Sequence, residues 1–568
     1  MKEGFRQSMA WLHTWTGLLV GWILFVIFAG GTASYFKEEI TFWMKPELHQ
    51  SSRGEAAPVV AAERAFALLQ KRAADSPRWF VDMPSDREPA MRMLWTAPPQ
   101  PVAPGERPRR NRFTNVSMDP STGEVISKPR ETRGGEFFYR LHFDLHYMPA
   151  VWARWIVGFC AMFMLVAILS GIVTHKRIFK DIFTFRPKKG QRSWLDAHNA
   201  TAVLALPYHL MITYTGIVTL MFMYMPWSQQ VAYKGDTKAF NAEIFPAFNS
   251  GNVKRLGQPA PLTPVAPLLE QASQHWDGGY VGRISVNNPN DAGATITLTR
   301  RDSHEISSDQ PSMVFSGATG KLISTSGDTA RPAAQTRGVL YGLHLGRFSN
   351  PLLRWLFFVS GVAGCVMVAT GLLLWAVKER QKYAKAIAKG GRISFGLRLV
   401  DGLNVGAIAG MPIAMAAFFW GNRLLPVETA ERAQAEITVF FVAWGIATLA
   451  GLAWPKRPMW QAQLAIGGLL FATIPLLNVF TSPTHLGVSL PEGMWRIAGV
   501  DLTCLVLGLF LVWAAWWVGK RAGKKAAKEL KAKKEAVAAE PPPVAKPEPV
   551  QDGGRMAPEG NWAGAGAE

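Results

Sequence analysis

The chain has 568 residues, 49% of them hydrophobic, with 22 Trp, 3 Cys and a formal net charge of +20. That charge invites nucleic-acid binding, but the Lys and Arg cluster in short loops beside long apolar runs, the positive-inside pattern of membrane proteins, so nucleic acid is excluded as a partner. Cys160, Cys365 and Cys504 all fall within apolar runs, which leaves no disulfide framework and no CxxC metal site.

Residues 1–36 begin basic and continue as an apolar run from position 11. The run is too long for a signal-peptide core and lacks an A-x-A-like site, so an uncleaved first span is expected. Residues 37–150 read as a small α+β module: a helix over 61–72, strand-like patches in 79–95, a Pro/Arg-rich loop at 98–112 and a strand–turn–strand over 113–127. A second span (151–177) leads into a basic loop (178–197) and a third span (198–226). Residues 227–350 repeat the soluble pattern, with a helix at 266–275 and strands at 282–286, 294–299 and 313–324. A fourth span (351–378) and another basic loop (379–400) follow. Four further spans fit within 401–519, at about 403–420, 437–454, 464–479 and 497–518, and they carry no histidine in their apolar runs. The tail, 520–568, opens as a Lys/Ala-rich helix and ends in a Pro/Gly/Ala segment too polar to fold. With eight spans, the basic residues at 176–192, 378–398, 455–457 and 520–534 and both termini lie on one side, the cytoplasm, and both modules on the other. In a bacterial inner membrane the modules are periplasmic.

The first four spans and the modules form an internal duplication. Leu141-His142 matches Leu343-His344, and Arg154-Trp155 matches Arg354-Trp355. Ser170-Gly171 matches Thr370-Gly371, and Leu12-His13 matches Ala197-His198. The Thr122-Gly123 and Thr319-Gly320 turns also correspond.

Histidine is the residue type that carries chemistry here. The stretch 194–225 reads as one continuous helix bearing His198 and His209. Eleven residues span about 16 Å and roughly three turns, so both rings project from nearly one face. Ionisable groups inside a span are costly and point to a partner or cofactor within the bundle. His13, His175 and His198 lie near the cytoplasmic ends of the spans, His142, His146 and His344 at the outer ends, and His209 near the middle. Haem iron held by two imidazoles needs one histidine from each side of the porphyrin, and the duplication offers such pairs: His13 with His198, and His142 or His146 with His344. The expectation is two b-type haems. The inner one falls among His13, His175 and His198, and the outer one among His142, His146, His209 and His344, with the axial choice left open. Arg154 and Arg354 are candidate partners for haem propionates, or snorkelling interface residues. A zinc or copper site at His142, Asp144 and His146 is the rival metal reading, and helix-bridging structural histidines are the third. Neither a P-loop nor a GxGxxG following a strand is present, so a reductase built this way takes electrons from a membrane carrier such as quinol or from a separate protein.

The motifs at Leu12-His13 through Gly17, 138–146 (FYRLHFDLH), 171–176 (GIVTHK), 194–199 (WLDAHN), 206–216 (LPYHLMITYTG) and 342–348 (GLHLGRF) resemble those of the PepSY-associated transmembrane family. The likeness covers residues 1 to about 380. It implies PepSY-like periplasmic modules, and some members resemble di-haem reductases that release iron from ferric siderophores. The expected function is therefore transfer of electrons across the inner membrane to a ferric siderophore or other ferric chelate. The alternatives are a non-catalytic membrane sensor or interaction protein, and a metal or siderophore permease.

Overall fold

A computed structural model describes residues 3–53, 56–97, 113–126, 128–175, 186, 189–245, 254–301, 305–327, 331–384, 389 and 391–538. The loop at 98–112, most of the basic loop at 178–185 and the last part of the tail lie outside the described residues.

Helix α1 (Glu3–Ser34) is the first span. A short α2 (Lys37–Trp43) and a 3-10 helix (Pro46–Arg53) lead into α3 (Pro58–Ala73). Strands β1 (Arg78–Asp82), β2 (Met91–Thr96), β3 (Phe113–Met118) and β4 (Val125–Ile126) complete the first module. Helix α4 (Gly134–Asp144) then runs into α5 (Ala150–Thr174), the second span. The third apolar stretch is α6 (Gln191–Leu204) and α7 (Leu206–Thr219), followed by short helices α8 (Met221–Tyr224), α9 (Trp227–Tyr233) and α10 (Thr237–Ile244). The second module holds α11 (Val265–His275), β5 (Val281–Asn287), β6 (Thr295–Arg300), β7 (Ser312–Ser316) and β8 (Leu322–Ser326). Helix α12 (Pro332–Leu345) leads to α13 (Pro351–Lys382), a further span.

The stretch read as one straight helix is broken. Helices α6 and α7 meet at an angle of 69° around Ala205. The cause is Pro207, which has no N–H to donate and whose ring excludes the carbonyl one turn back. His198 and His209 therefore do not share one face of one helix. Among the described residues seven helices are long and apolar enough to cross a membrane, and the bent pair makes an eighth if it spans.

The two modules are not separate sheets. All eight strands form one antiparallel sheet in the order β4-β3-β2-β1-β5-β6-β7-β8. The modules join at β1–β5, where Trp79 lies opposite Val286 and Val81 opposite Ile284. Each module thereby covers the strand edge that the other would expose. Trp79, Val81, Met91, Met93, Ile284, Ile296 and Leu298 are fully buried and pack in one core with Ala65 and Leu69 of α3 and Leu268 and Leu269 of α11. Each large side chain buried there contributes about 1.5–3 kcal/mol.

The C-terminal spans are Phe395–Leu424, Arg432–Ala453, Arg457–Thr481 and Trp495–Lys520, and the last helix continues to Ala538. They pack on the first half through a buried polar network. Trp43 Nε1 donates to Asp501 Oδ1 (2.9 Å), while Arg423 donates to the Trp43 carbonyl (2.8 Å) and lies 3.9 Å over the Trp43 ring. Arg432 and Glu436, both 0% exposed, form an ion pair, and Asn422 donates to Glu436 (2.8 Å).

Candidate cofactor site

Among the described residues two histidine pairs stand between positions 13 and 344. His13 on α1 faces His198 on α6, with ring centres 6.0 Å apart and planes at 73°. His13 Nδ1 lies 2.8 Å from the Ala167 carbonyl of α5, and His198 Nδ1 lies 2.8 Å from the Met367 carbonyl of α13. A carbonyl can only accept, so each Nδ1 donates to it and each Nε2 points away from that carbonyl. The surroundings repeat as well. A β-carbon at Gly171 would stand 3.1 Å from His13 Cε1, and one at Gly371 would stand 3.1 Å from His198 Cε1. The matched glycines are the only residue type that lets each imidazole lie this close to the helix opposite.

The second pair is His142 on α4 and His344 on α12, with ring centres 6.4 Å apart and planes at 31°. His344 Nδ1 lies 3.1 Å from the Ile212 carbonyl and 3.2 Å from Thr215 Oγ1 on α7. His142 sits against Gly30 and Gly31 of α1, and its Nδ1 is buried without a hydrogen-bond partner. Burial pushes the His142 imidazole down to about 4 and the His344 imidazole down to about 3, so both are neutral, the form that binds metal.

This pair lines a cavity among α1, α5 and α7, with Met164, Tyr208 and Gly216 in its walls. Its polar lining includes Lys37, Glu38, Arg87 and Arg354. Arg354 donates to Glu39 (3.2 Å) and to the Ser349 carbonyl (2.9 Å), and Arg87 pairs with Glu38 (2.7 Å) and Glu39 (2.6 Å). Arg87 carries no sequence signal, because it sits in a loop of the first module with no repeat partner to mark it.

The other candidates stand apart from these pairs. His209 Nε2 lies 3.4 Å from the Ser360 carbonyl, its ring meets Phe28 edge-on, and its Nδ1 is buried without a partner. His175 caps the end of α5, and its Nδ1 is likewise buried and unpartnered. His146 stacks on Phe441 of the C-terminal half, with centres 5.5 Å apart and planes at 15°. Arg154 turns to Asp144 (2.8 Å) and Phe143.

The zinc or copper reading assumed that His142, Asp144 and His146 share one helical turn. Helix α4 ends at Asp144, and Leu145, His146 and Tyr147 are all left-handed (φ 52°, 54° and 49°), which swings His146 to the far side. Asp144 is taken by Arg140 and Arg154. Among the described residues no three His, Cys, Asp or Glu side chains converge on a metal position.

An imidazole nitrogen binds a metal at about 2 Å with its ring centre about 1 Å behind, so two rings sharing one ion in line stand about 6 Å apart. Both pairs meet that spacing. Three of the four rings have Nδ1 tied to a backbone carbonyl, the outer-shell arrangement that fixes tautomer and aim in metal-binding histidines. The donor set, imidazoles alone with cations in the lining of the outer cavity, fits b-type haem with its two carboxylates.

An uncharacterised protein of Pseudomonas aeruginosa is 24% identical over 394 residues, covering 66% of this chain and 92% of that protein. The family model described as the PepSY-associated TM region matches residues 10–378, which contain both histidine pairs and the whole eight-stranded sheet. The chain is a multi-pass membrane protein that belongs to the PepSY-associated transmembrane family.

Proposed function

We propose that this protein holds two b-type haems, one between His13 and His198 and one between His142 and His344, and reduces a ferric chelate such as a ferric siderophore. The observation that carries this reading is that two histidine pairs stand with ring centres 6.0 and 6.4 Å apart at two places along one long helix. His13 and Gly30, beside His142, are seventeen residues apart on α1, roughly 25 Å along its axis. Bound haem supplies reversible one-electron chemistry.

The chain's own residues hold and tune. The carbonyls of Ala167, Met367 and Ile212 orient three imidazoles, and Arg87, Arg354 and Lys37 offer positive charge to carboxylates in the outer cavity. The apolar walls exclude water and limit the reorganisation that a change of charge demands. Reduction of Fe(III) to Fe(II) weakens a hard-oxygen chelate, because the softer ion of lower charge suits those ligands less well. We place the protein in a bacterial inner membrane with the sheet in the periplasm, supported by the basic residues beside the spans; electrons come from quinol or a separate reductase. The test is stopped-flow oxidation of the dithionite-reduced protein by a panel of ferric siderophores. Reoxidation under anaerobic conditions is expected; a reduced protein that stays reduced with every chelate contradicts the assignment.

A further inference from the structure

The His142 and His344 rings are held by different parts of the chain. Helix α12, which carries His344, is fixed within the second repeat. Arg337 donates to the Ile244 carbonyl (2.8 Å) and pairs with Asp309, and Tyr341 donates to the Thr219 carbonyl (2.5 Å). Helix α4, which carries His142, packs on α1, α2 and α5 and is also met before its start, in its middle and beyond its end by side chains of the C-terminal spans. Before its start, Thr132 donates to Glu436, and Arg130 donates to the Asn422 carbonyl (3.0 Å). In its middle, Phe137 and Phe138 pack on Phe418 (4.9 and 5.3 Å between centres), with Phe440 beside them. Beyond its end, His146 stacks on Phe441, and Tyr147 accepts from Gln434 (3.1 Å).

The left-handed run Leu145–Tyr147 is the second observation. Three consecutive residues with β-carbons in that region are strained, and such strain persists only where the surroundings enforce it. The aromatic stack and the Tyr147 contact lie on this run, at the end of the helix one turn beyond His142.

We propose that the C-terminal four-helix unit, which lies beyond the family-matched region, positions the His142 imidazole through α4, with His146 and Phe441 as positioning residues that touch neither cofactor nor substrate. This rests on haem binding at the His142–His344 pair. The unit thereby sets the angle between the two outer rings and, with it, the redox potential of that site alone.

The experiment is low-spin ferric EPR and potentiometric titration of the purified full-length holoprotein carrying His146→Ala, Phe441→Ala or His146→Phe. The inner site serves as an internal reference. In the Ala variants the outer signal and its midpoint potential are expected to move while the inner ones stay; His146→Phe, which keeps a ring on Phe441, restores the outer values. Unmoved outer values, or equal movement at both sites, overturn the proposal. If the Ala variants fail to fold, Tyr147→Phe together with Gln434→Ala asks the same question of the second contact, and the same unmoved values count against it. A wild-type preparation with no haem sinks the functional reading and this proposal together, whereas a two-haem protein with unresponsive outer values sinks only this one.

Discussion

His13 and His198 stand edge to face with centres 6.0 Å apart, each tied at Nδ1 to a carbonyl of a different neighbouring span. The two bonds are images of one another under the internal repeat: Ala167 lies four residues before Gly171 on α5, and Met367 lies four before Gly371 on α13. A duplicated sequence has built one site from two copies of the same half.

Replacing either half removes the site. His198→Ala or His13→Ala is expected to take the haem content from two per chain to one, with the outer site's spectrum retained. Haem extraction and quantification check this; two haems retained in either variant contradict the assignment.

The matched glycines have the same consequence by another route. In Gly371→Val the new β-carbon would sit 3.1 Å from His198 Cε1, and its methyls would displace the ring. The inner haem is expected to be lost or to turn high-spin, while Gly371→Ala weakens it only partly. An unperturbed low-spin inner signal in the Val variant is the adverse result.

The plane angles, 73° in one pair and 31° in the other, predict two separable ferric EPR signals. Nearly perpendicular imidazoles give a strongly anisotropic low-spin species, and rings closer to parallel give a rhombic one. One signal of each kind is expected, the anisotropic one vanishing in His13→Ala.

The buried Arg432–Glu436 pair supports the C-terminal unit. Arg432→Met leaves a carboxylate that is 0% exposed without its cation and is expected to cost on the order of 3–5 kcal/mol, while Arg432→Met with Glu436→Met recovers most of it. Denaturation of the detergent-solubilised protein reads the difference, and a single variant as stable as wild type contradicts it.

His49 gives a pH dependence. It is 0% exposed, donates from Nε2 to the Phe42 carbonyl (2.9 Å) and shares a hydrogen bond at Nδ1 with the Thr484 hydroxyl, and burial holds its imidazole down to about 3 against 6.5 in a free chain. Between those values the unfolded chain binds a proton that the folded one does not, so stability falls as pH drops from 6.5 toward 3. His49→Gln is expected to flatten that slope in thermal unfolding measured across the range, and an unchanged slope argues against it.

Much of the site was legible because the repeat marked it. Two Leu-His dipeptides at matched places mark His142 and His344, with His146 left as an equal candidate, and the same correspondence pairs His13 with His198. The break at Ala205 had a visible signal, Pro207, but a proline in the first turn of a new helix is also tolerated, and the apolar run continued across it. The position of His146 is not legible from spacing, because spacing along a helix assumes that the helix continues, and here it ends two residues earlier. The join between β1 and β5 was beyond reach: Trp79 and Val286 are far apart in the chain, and an edge strand reads the same whether it faces water or a second module. So was the clamp on α4, since its contacts come from Glu436 and Phe441, in spans that read simply as apolar.

The most direct measurement is the visible spectrum and pyridine haemochrome content of detergent-purified protein from haem-replete cells. Two haems per chain, with a Soret band and α-bands that sharpen on reduction, are predicted. A colourless protein, folded and intact, would contradict the account at its root.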